Sequence, residues 1–300
     1  MREILCSGQA QSLEFPYPGG MAALCWSPAG ERGELTVSLH YDGAYGMGEK
    51  YNAVNQKGHT AVNVVEEKFC FQGEKTYCPA PFFWTNTGFG LYAATDERTS
   101  FRFGEKAVCA ELPVDCRVVL FSGMPGEIIR DYMNLFGPAK LPPKWAFGPW
   151  ISANHWDSQE KVERAVAQAE EHGFPVCALV AEAWSDEATF YVFRGARYVP
   201  KPNGGAFRLE DFDFSDSPWP DPAGMVQRLH EKGIRFLLWQ IPVYKKQGPD
   251  EPLNAQNELD QADAVARGLC VHNADGSPYT IPEGYWFAGS MIPDFTNPAA

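Results

Sequence analysis

Val176-Cys177-Ala178-Leu179-Val180-Ala181-Glu182-Ala183-Trp184 is the stretch on which the fold turns. Its first six residues are apolar with no alternation, so a strand here has no solvent-facing side, as in a parallel sheet covered by helices on both faces. A carboxylate and an indole follow immediately. Upstream, Asp157 with Glu160 three residues on has capping-box spacing and predicts a helix; Val162, Ala165, Val166 and Ala169 share one face of it, and Gly173 ends it. Residues 146–151 read as a first strand before that helix. Downstream, Asp221-Pro222 starts a second helix carrying Met225, Val226 and Leu229, Gly233 ends it, and residues 234–241 predict a third buried strand. A further helix is expected near 258–267. Repeated strand–helix units allow a doubly wound sheet or a (β/α)8 barrel. No Gly-x-Gly-x-x-Gly follows the first strand, which weakens a dinucleotide fold and favours the barrel, with about three βα units in this chain.

Residues 1–136 carry a different period. Short alternating runs such as Glu34-Leu35-Thr36-Val37-Ser38-Leu39, Ser100-Phe101-Arg102-Phe103 and Cys116-Arg117-Val118-Val119-Leu120-Phe121 are separated by Gly, Pro and Asn. Period-two patterning with turns at this density predicts an antiparallel β-sandwich. A helix over 125–136 closes it. Gly137-Pro138-Ala139-Lys140-Leu141-Pro142-Pro143 then reads as a stiff linker, because successive prolines fix φ and block both helix and central strand. The expected organisation is therefore a β domain over 1–136, a linker over 137–143, and the start of a barrel over 144–300.

Composition narrows the function. A formal net charge of −13 argues against a nucleic-acid partner, which would need clustered Lys and Arg. With 45% apolar residues, 9 Trp, 12 Tyr and 20 Phe, the chain can bury a sizeable core. Aromatic richness with an acidic balance suits sugar binding and equally suits any large enzyme. The first eight residues turn polar at once and no apolar run approaches the ~18 residues of a membrane span, so the chain reads as soluble and cytoplasmic, with no membrane partner. Its eight cysteines (Cys6, Cys25, Cys70, Cys78, Cys109, Cys116, Cys177 and Cys270) lack Cys-x-x-Cys spacing and read as buried free thiols, and the histidines form no metal-binding pattern. No metal and no cofactor are expected.

In either βα architecture ligands meet the C-terminal ends of the strands. Read this way, Trp150 follows the first strand, Glu182, Trp184 and Asp186 the second, and Trp239 the third. An aromatic beside a carboxylate at strand mouths is what a pyranose needs, the ring for stacking and the carboxylate for hydroxyls. The same rings serve equally as rim packing, and Glu182 as half of a salt bridge that offsets its desolvation. The connection over 185–220 is long for a βα loop and carries Phe190, Tyr191, Phe193 and Tyr198; loops of this length at a catalytic face are usually functional, although these aromatics also suit packing.

Several motifs occur in the order found in glycoside hydrolase family 31: Leu141-Pro142-Pro143-Lys144-Trp145-Ala146-Phe147-Gly148, Glu182-Ala183-Trp184, Asp211 to Phe214 with Trp219-Pro220-Asp221-Pro222-Ala223-Gly224-Met225, and Asp294-Phe295-Thr296-Asn297-Pro298. Tyr45-Gly46-Met47-Gly48-Glu49-Lys50 with Asn55-Gln56-Lys57-Gly58 resembles the same family's N-terminal β domain, of galactose mutarotase-like type. The resemblance spans about 41–300. It implies a retaining α-glycosidase acting on terminal α-glucosides or α-xylosides, with transglycosylases and lyases among relatives, and no cofactor. It also implies that Glu182, Trp184, Asp186, Trp239 and Trp150 bind the sugar of an oligosaccharide. The family usually presents Asp where Glu182 stands, one methylene longer, with Asp186 as the alternative. The segment 63–81 would reach over the barrel mouth, and Asp294 reads as a structural hydrogen-bonder. Asn297-Pro298 is a helix-start signal with no helix after it. The resemblance implies that the nucleophile and the acid/base carboxylate lie beyond Ala300, and residues 1–300 alone are expected to be inactive. A sugar-binding protein that has lost catalysis remains the rival from another class.

Overall fold

Period-two patterning makes the first unit. The computed structural model describes residues 1–66, 72, 76–202 and 205–300, and it divides the chain into one unit over Met1–Lys140 and another over Leu141–Ala300. In the first, eleven strands among the described residues form two antiparallel sheets: β1 (Arg2–Cys6), β2 (Gln11–Tyr17), β3 (Gly20–Ala29), β4 (Arg32–Ser38), β5 (Ala44–Gly48), β6 (Thr60–Asn63), β7 (Pro79–Thr85), β8 (Phe89–Ala94), β9 (Thr99–Phe103), β10 (Ala107–Pro113) and β11 (Cys116–Ser122). One sheet runs β1-β11-β8-β7-β5 and the other β2-β3-β4-β10-β9-β6. Alternate residues such as Ala22, Leu24 and Trp26 of β3 turn inward and are buried. Phe83 of one sheet meets Phe103 of the other edge to face at 5.2 Å, so aromatic side chains lock the sandwich. The helix that closes this unit, α1 (Pro125–Asn134), is shorter than the sequence suggests, and its Tyr132 stacks on Phe82 at 3.8 Å.

The second unit starts differently from expectation. Residues Lys144–Phe147 form a 3-10 turn, and the first parallel strand, β12, is Trp150–Ala153. The apolar run 146–151 is split by Pro149, which has no N–H to offer a ladder. Next comes α2 (Gln159–Glu171), capped by Ser158, whose Oγ accepts from the Lys161 amide at 3.4 Å. The predicted cap, Asp157, is instead taken by the Lys161 and Arg194 side chains, at 2.6 and 3.1 Å. The remaining elements are β13 (Ala178–Ala181), α3 (Pro222–Glu231), β14 (Arg235–Leu238) and α4 (Ala255–Ala266). Asp221 caps α3 as expected, accepting from the Gly224 amide at 3.0 Å. Gly173 and Gly233, at φ of +65° and +78°, end α2 and α3 in the left-handed conformation that costs glycine nothing.

The sheet β12-β13-β14 is parallel, with Trp150 opposite Ala178 and Ala178 opposite Arg235. Val162 and Val166 of α2 and Met225 and Leu229 of α3 bury against Leu179, Ala181 and Trp184, giving this unit its core. The strand predicted to be buried at 234–241 is shorter and lies at the sheet edge, where Leu238 keeps 38% exposure because, among the described residues, β13 is its only partner strand. The sheet is not a closed barrel.

All seven described cysteines are free, and Cys70 lies outside the described residues. They are not all buried: Cys25 is exposed because it occupies an outward position of β3, and Cys78 is exposed as well. Residues 67–71 and 73–75 of the 63–81 segment expected over the barrel mouth also fall outside the described residues. Among the described residues, no helix is long and apolar enough to cross a membrane.

Candidate functional site

Parallel strands deliver whatever follows them to one edge of the sheet. Glu182 comes directly after β13 and is half-buried; the Ser152 hydroxyl of neighbouring β12 donates to its Oε1. The same hydroxyl lies 3.4 Å from the Val180 carbonyl. The carboxylate is thus steadied by a neutral donor, and among the described residues no salt bridge reaches it.

Trp184 and Trp239 come together. Trp184 is 2% exposed, meets Phe193 edge to face at 4.9 Å, and donates from Nε1 to the Trp239 carbonyl at 2.6 Å. The Trp239 amide in turn donates to the Ala181 carbonyl at 3.0 Å. Trp184 therefore holds the backbone of Trp239 in place from within the core, while the half-buried Trp239 ring is the one offered at the strand end.

Asp186 is occupied by its own loop. One oxygen accepts from the Ala188 and Thr189 amides at 2.8 and 2.7 Å, and the other from the Thr189 hydroxyl at 2.5 Å. These bonds fold the entry of the long loop as an Asx turn. Trp150 is the exception in placement. As the first residue of β12 it stands at the opposite end of the strand from Glu182, its Nε1 donating to the Ala146 carbonyl at 3.2 Å and its ring against Trp145 at 5.5 Å. The displaced strand start accounts for this. Asp294 makes a local turn, its Oδ1 accepting from the Thr296 amide and hydroxyl at 3.0 and 2.6 Å, and these bonds hold its carboxyl below the usual range.

The structure adds aromatics that strand-end reasoning missed. Phe190 meets Trp239 at 6.1 Å and Phe287 at 5.5 Å, and Phe287 lies 5.3 Å from Trp286, which is 61% exposed. Phe190 and Phe287 have φ of +61° and +60°, a conformation bulky residues rarely adopt and one that clusters at functional sites. Lys245 Nζ sits 6.0 Å above the Phe190 ring and donates to the Glu187 carbonyl at 2.9 Å, pinning the loop. The available signal was the triplet Tyr285-Trp286-Phe287 bracketed by Gly284 and Gly289. A cavity of about 1060 Å³ lies between the long loop and α4, lined by Phe190, Phe207, Phe212, Tyr244 and Asp260 among others. Of the predicted site residues only Trp184 borders it, but Phe190 and the neighbours of Trp239 in sequence, Leu238 and Gln240, line it too, so it adjoins the end of β14. Gln256 ties its walls, exchanging hydrogen bonds with the Lys201 amide and carbonyl at 2.7 and 3.0 Å.

A carboxylate and an aromatic group at the C-terminal ends of parallel strands can be set against known proteins. The model of the glycosyl hydrolases family 31 TIM-barrel domain matches residues 139–300. The chain belongs to glycosyl hydrolase family 31. Among family members it is 34% identical to an isomaltosyltransferase of Sporosarcina globispora, over 85% of this chain and 24% of that protein. It is 33% identical to a 1,3-alpha-isomaltosidase of Kribbella flavida, over 92% of this chain and 39% of that protein. A solved family 31 structure, the cycloalternan-forming enzyme from Listeria monocytogenes in complex with pentasaccharide substrate, superposes with a TM-score of 0.86 at 32% identity, covering 93% of this chain and 28% of that one. The chain thus spans between a quarter and two-fifths of the length of these relatives.

Proposed function

We propose that this chain is the sugar-positioning portion of an α-glycoside-processing enzyme, and that it grips an isomaltosyl unit of an α-linked gluco-oligosaccharide. The observation that carries the reading is the pairing at the strand ends of Glu182, steadied by Ser152, with the Trp239 ring, steadied by Trp184. The ring takes a C–H face of a pyranose, and the carboxylate accepts from its hydroxyls. Two relatives named for isomaltosyl chemistry support the choice of sugar.

In the same proposal the reaction retains configuration. One carboxylate attacks the anomeric carbon while a second protonates the leaving oxygen, the two standing about 5–5.5 Å apart, and water or an acceptor sugar then releases the glycosyl-enzyme. Neither role falls to Glu182 or Asp186: the first receives Ser152 and the second is saturated by its own loop. Both reacting groups belong to barrel segments beyond Ala300, so residues 1–300 alone turn over no α-glycoside. We place the activity in the cytoplasm, on imported oligosaccharides, a setting in keeping with seven free described thiols.

Release by an acceptor sugar is the second reading, favoured by the 34% identity to an isomaltosyltransferase. Product analysis on the enzyme that carries this chain, given an isomaltosyl-terminated oligosaccharide, separates the two. Free isomaltose alone means hydrolysis, longer or cyclic products mean transfer, and glucose alone removes the isomaltosyl assignment.

A further inference from the structure

The strand-end site leaves the motif Tyr45-Gly46-Met47-Gly48-Glu49-Lys50 unused, and in the β unit that motif lines a recess of about 610 Å³. This is within the roughly 300–1,000 Å³ of small-ligand pockets. Tyr45 of β5 is registered directly opposite Trp84 of β7, so both rings stand on the same sheet face, 5.9 Å apart and inclined by 31°. Phe82, also inclined 31° to Trp84 at 5.9 Å, is fixed from the side by its stack on Tyr132. The rings therefore form a preset platform.

The wall beside it is shaped by main chain. The ladder shifts register between Gly46 and Gly48, and three successive residues, Gly46, Met47 and Gly48, hold φ of +117°, +70° and +77°. Met47 is fully buried and a Cβ at Gly48 would fall 2.0 Å from the Cys78 carbonyl oxygen, so this bulge is built around bare backbone. Bulges that re-aim side chains recur beside functional sites. Here the bulge sends Glu49, Lys50 and Tyr51 to the rim of the recess. Lys50 is anchored by donating from Nζ to the Val62 carbonyl at 2.7 Å, and burial lowers its pKa. Among the described residues the Glu49 carboxylate has only a long 3.4 Å contact from the Tyr51 hydroxyl, and Tyr51 is 56% exposed. One carboxylate and one ammonium cancel in charge while offering an acceptor and a donor, which suits a neutral polyol better than an anion.

We propose that this recess is a second carbohydrate site, carried wholly by the β unit, in which a pyranose of an α-linked glucan stacks on Tyr45, Trp84 and Tyr51 and hydrogen-bonds Glu49. The choice of an α-glucan rests on the proposed function; the recess itself does not. The probe is isomaltotriose titrated into the 300-residue chain while the indole N–H resonances are followed by NMR. The Trp84 resonance is expected to shift with saturation, and to do so equally in a Glu182→Ala/Trp239→Ala chain. Tyr51→Ala, which removes an exposed ring without touching the core, raises the half-saturation concentration by roughly tenfold, as loss of one aromatic contact implies; Glu49→Gln raises it severalfold. A silent Trp84 beside a moving Trp239 overturns this site and leaves the strand-end reading intact. A Trp84 shift that disappears in the Glu182→Ala/Trp239→Ala chain, or that Tyr51→Ala leaves untouched, overturns it as well. Silence of both indoles overturns both sites.

Discussion

Trp184→Phe tests how the strand-end site is held. The Phe ring still fits against Phe193, but the Nε1–H that reaches the Trp239 carbonyl at 2.6 Å is gone. Leaving that acceptor without its donor costs about 1–3 kcal/mol. Trp184 is 2% exposed, so removing the six-membered half of its indole forfeits a further ~1 kcal/mol of burial and leaves a gap. Together these are about 2–4 kcal/mol, a large share of a domain stability of roughly 5–15 kcal/mol. Native-state hydrogen exchange reads the effect locally. The Trp239 amide, bonded to the Ala181 carbonyl at 3.0 Å, should lose roughly 30- to 1,000-fold in protection. Amides of Phe101 and Phe103 in the β unit, which does not contain Trp184, serve as the internal control and should not change. A loss below about threefold at Trp239 would refute the claim that Trp184 positions it and would make the ring mere packing.

Glu182→Ala should weaken isomaltose binding by tenfold or more while lowering unfolding stability by less than about 1 kcal/mol, since the bond it loses is to a surface hydroxyl; isothermal titration and urea melts report the two numbers. Ser158→Ala removes the α2 cap and should cost about 1 kcal/mol in the urea midpoint of the second unit, whereas Asp157→Ala leaves the cap bond in place. Gly173→Ala forces a Cβ into φ of +65° and should cost about 1 kcal/mol in the same melt. The hydrogen bond from Lys161 holds the Asp157 carboxyl below its ordinary pKa, so its contribution to stability is complete above about pH 4 and fades as pH falls through the lower folded value; in Lys161→Met an NMR titration should find the Asp157 midpoint moved up.

The two periods of the chain were legible because each is enforced by burial. Alternation in 34–39 and 100–103 could only serve one wet and one dry face, and the unbroken run 176–181 could only serve a strand dry on both sides. Caps and stops were legible where a single side chain had no competitor, as at Asp221 and Gly233, and misread at Asp157, where a lysine and an arginine distant in sequence or one turn away claimed the carboxylate first. Pro149 hid the true start of β12, and with it the end of the strand on which Trp150 stands. Of the proposed site, the placement of Glu182 and Trp239 at strand ends was readable, because that edge of a parallel sheet is fixed by topology. Phe190 was legible as one of the long loop's aromatics and Phe287 was not, and their assembly beside Trp239 was hidden because it depends on left-handed backbone in two loops about a hundred residues apart in sequence, which no local pattern encodes.

The most direct test of the central claim is a crystal structure of this chain soaked with isomaltose. The account predicts a glucosyl ring lying against Trp239 with at least one hydroxyl at about 2.6–3.2 Å from a Glu182 carboxylate oxygen. Sugar density confined to the cavity beside α4, with Glu182 still bonded only to Ser152 and the Trp239 ring bare, would contradict it.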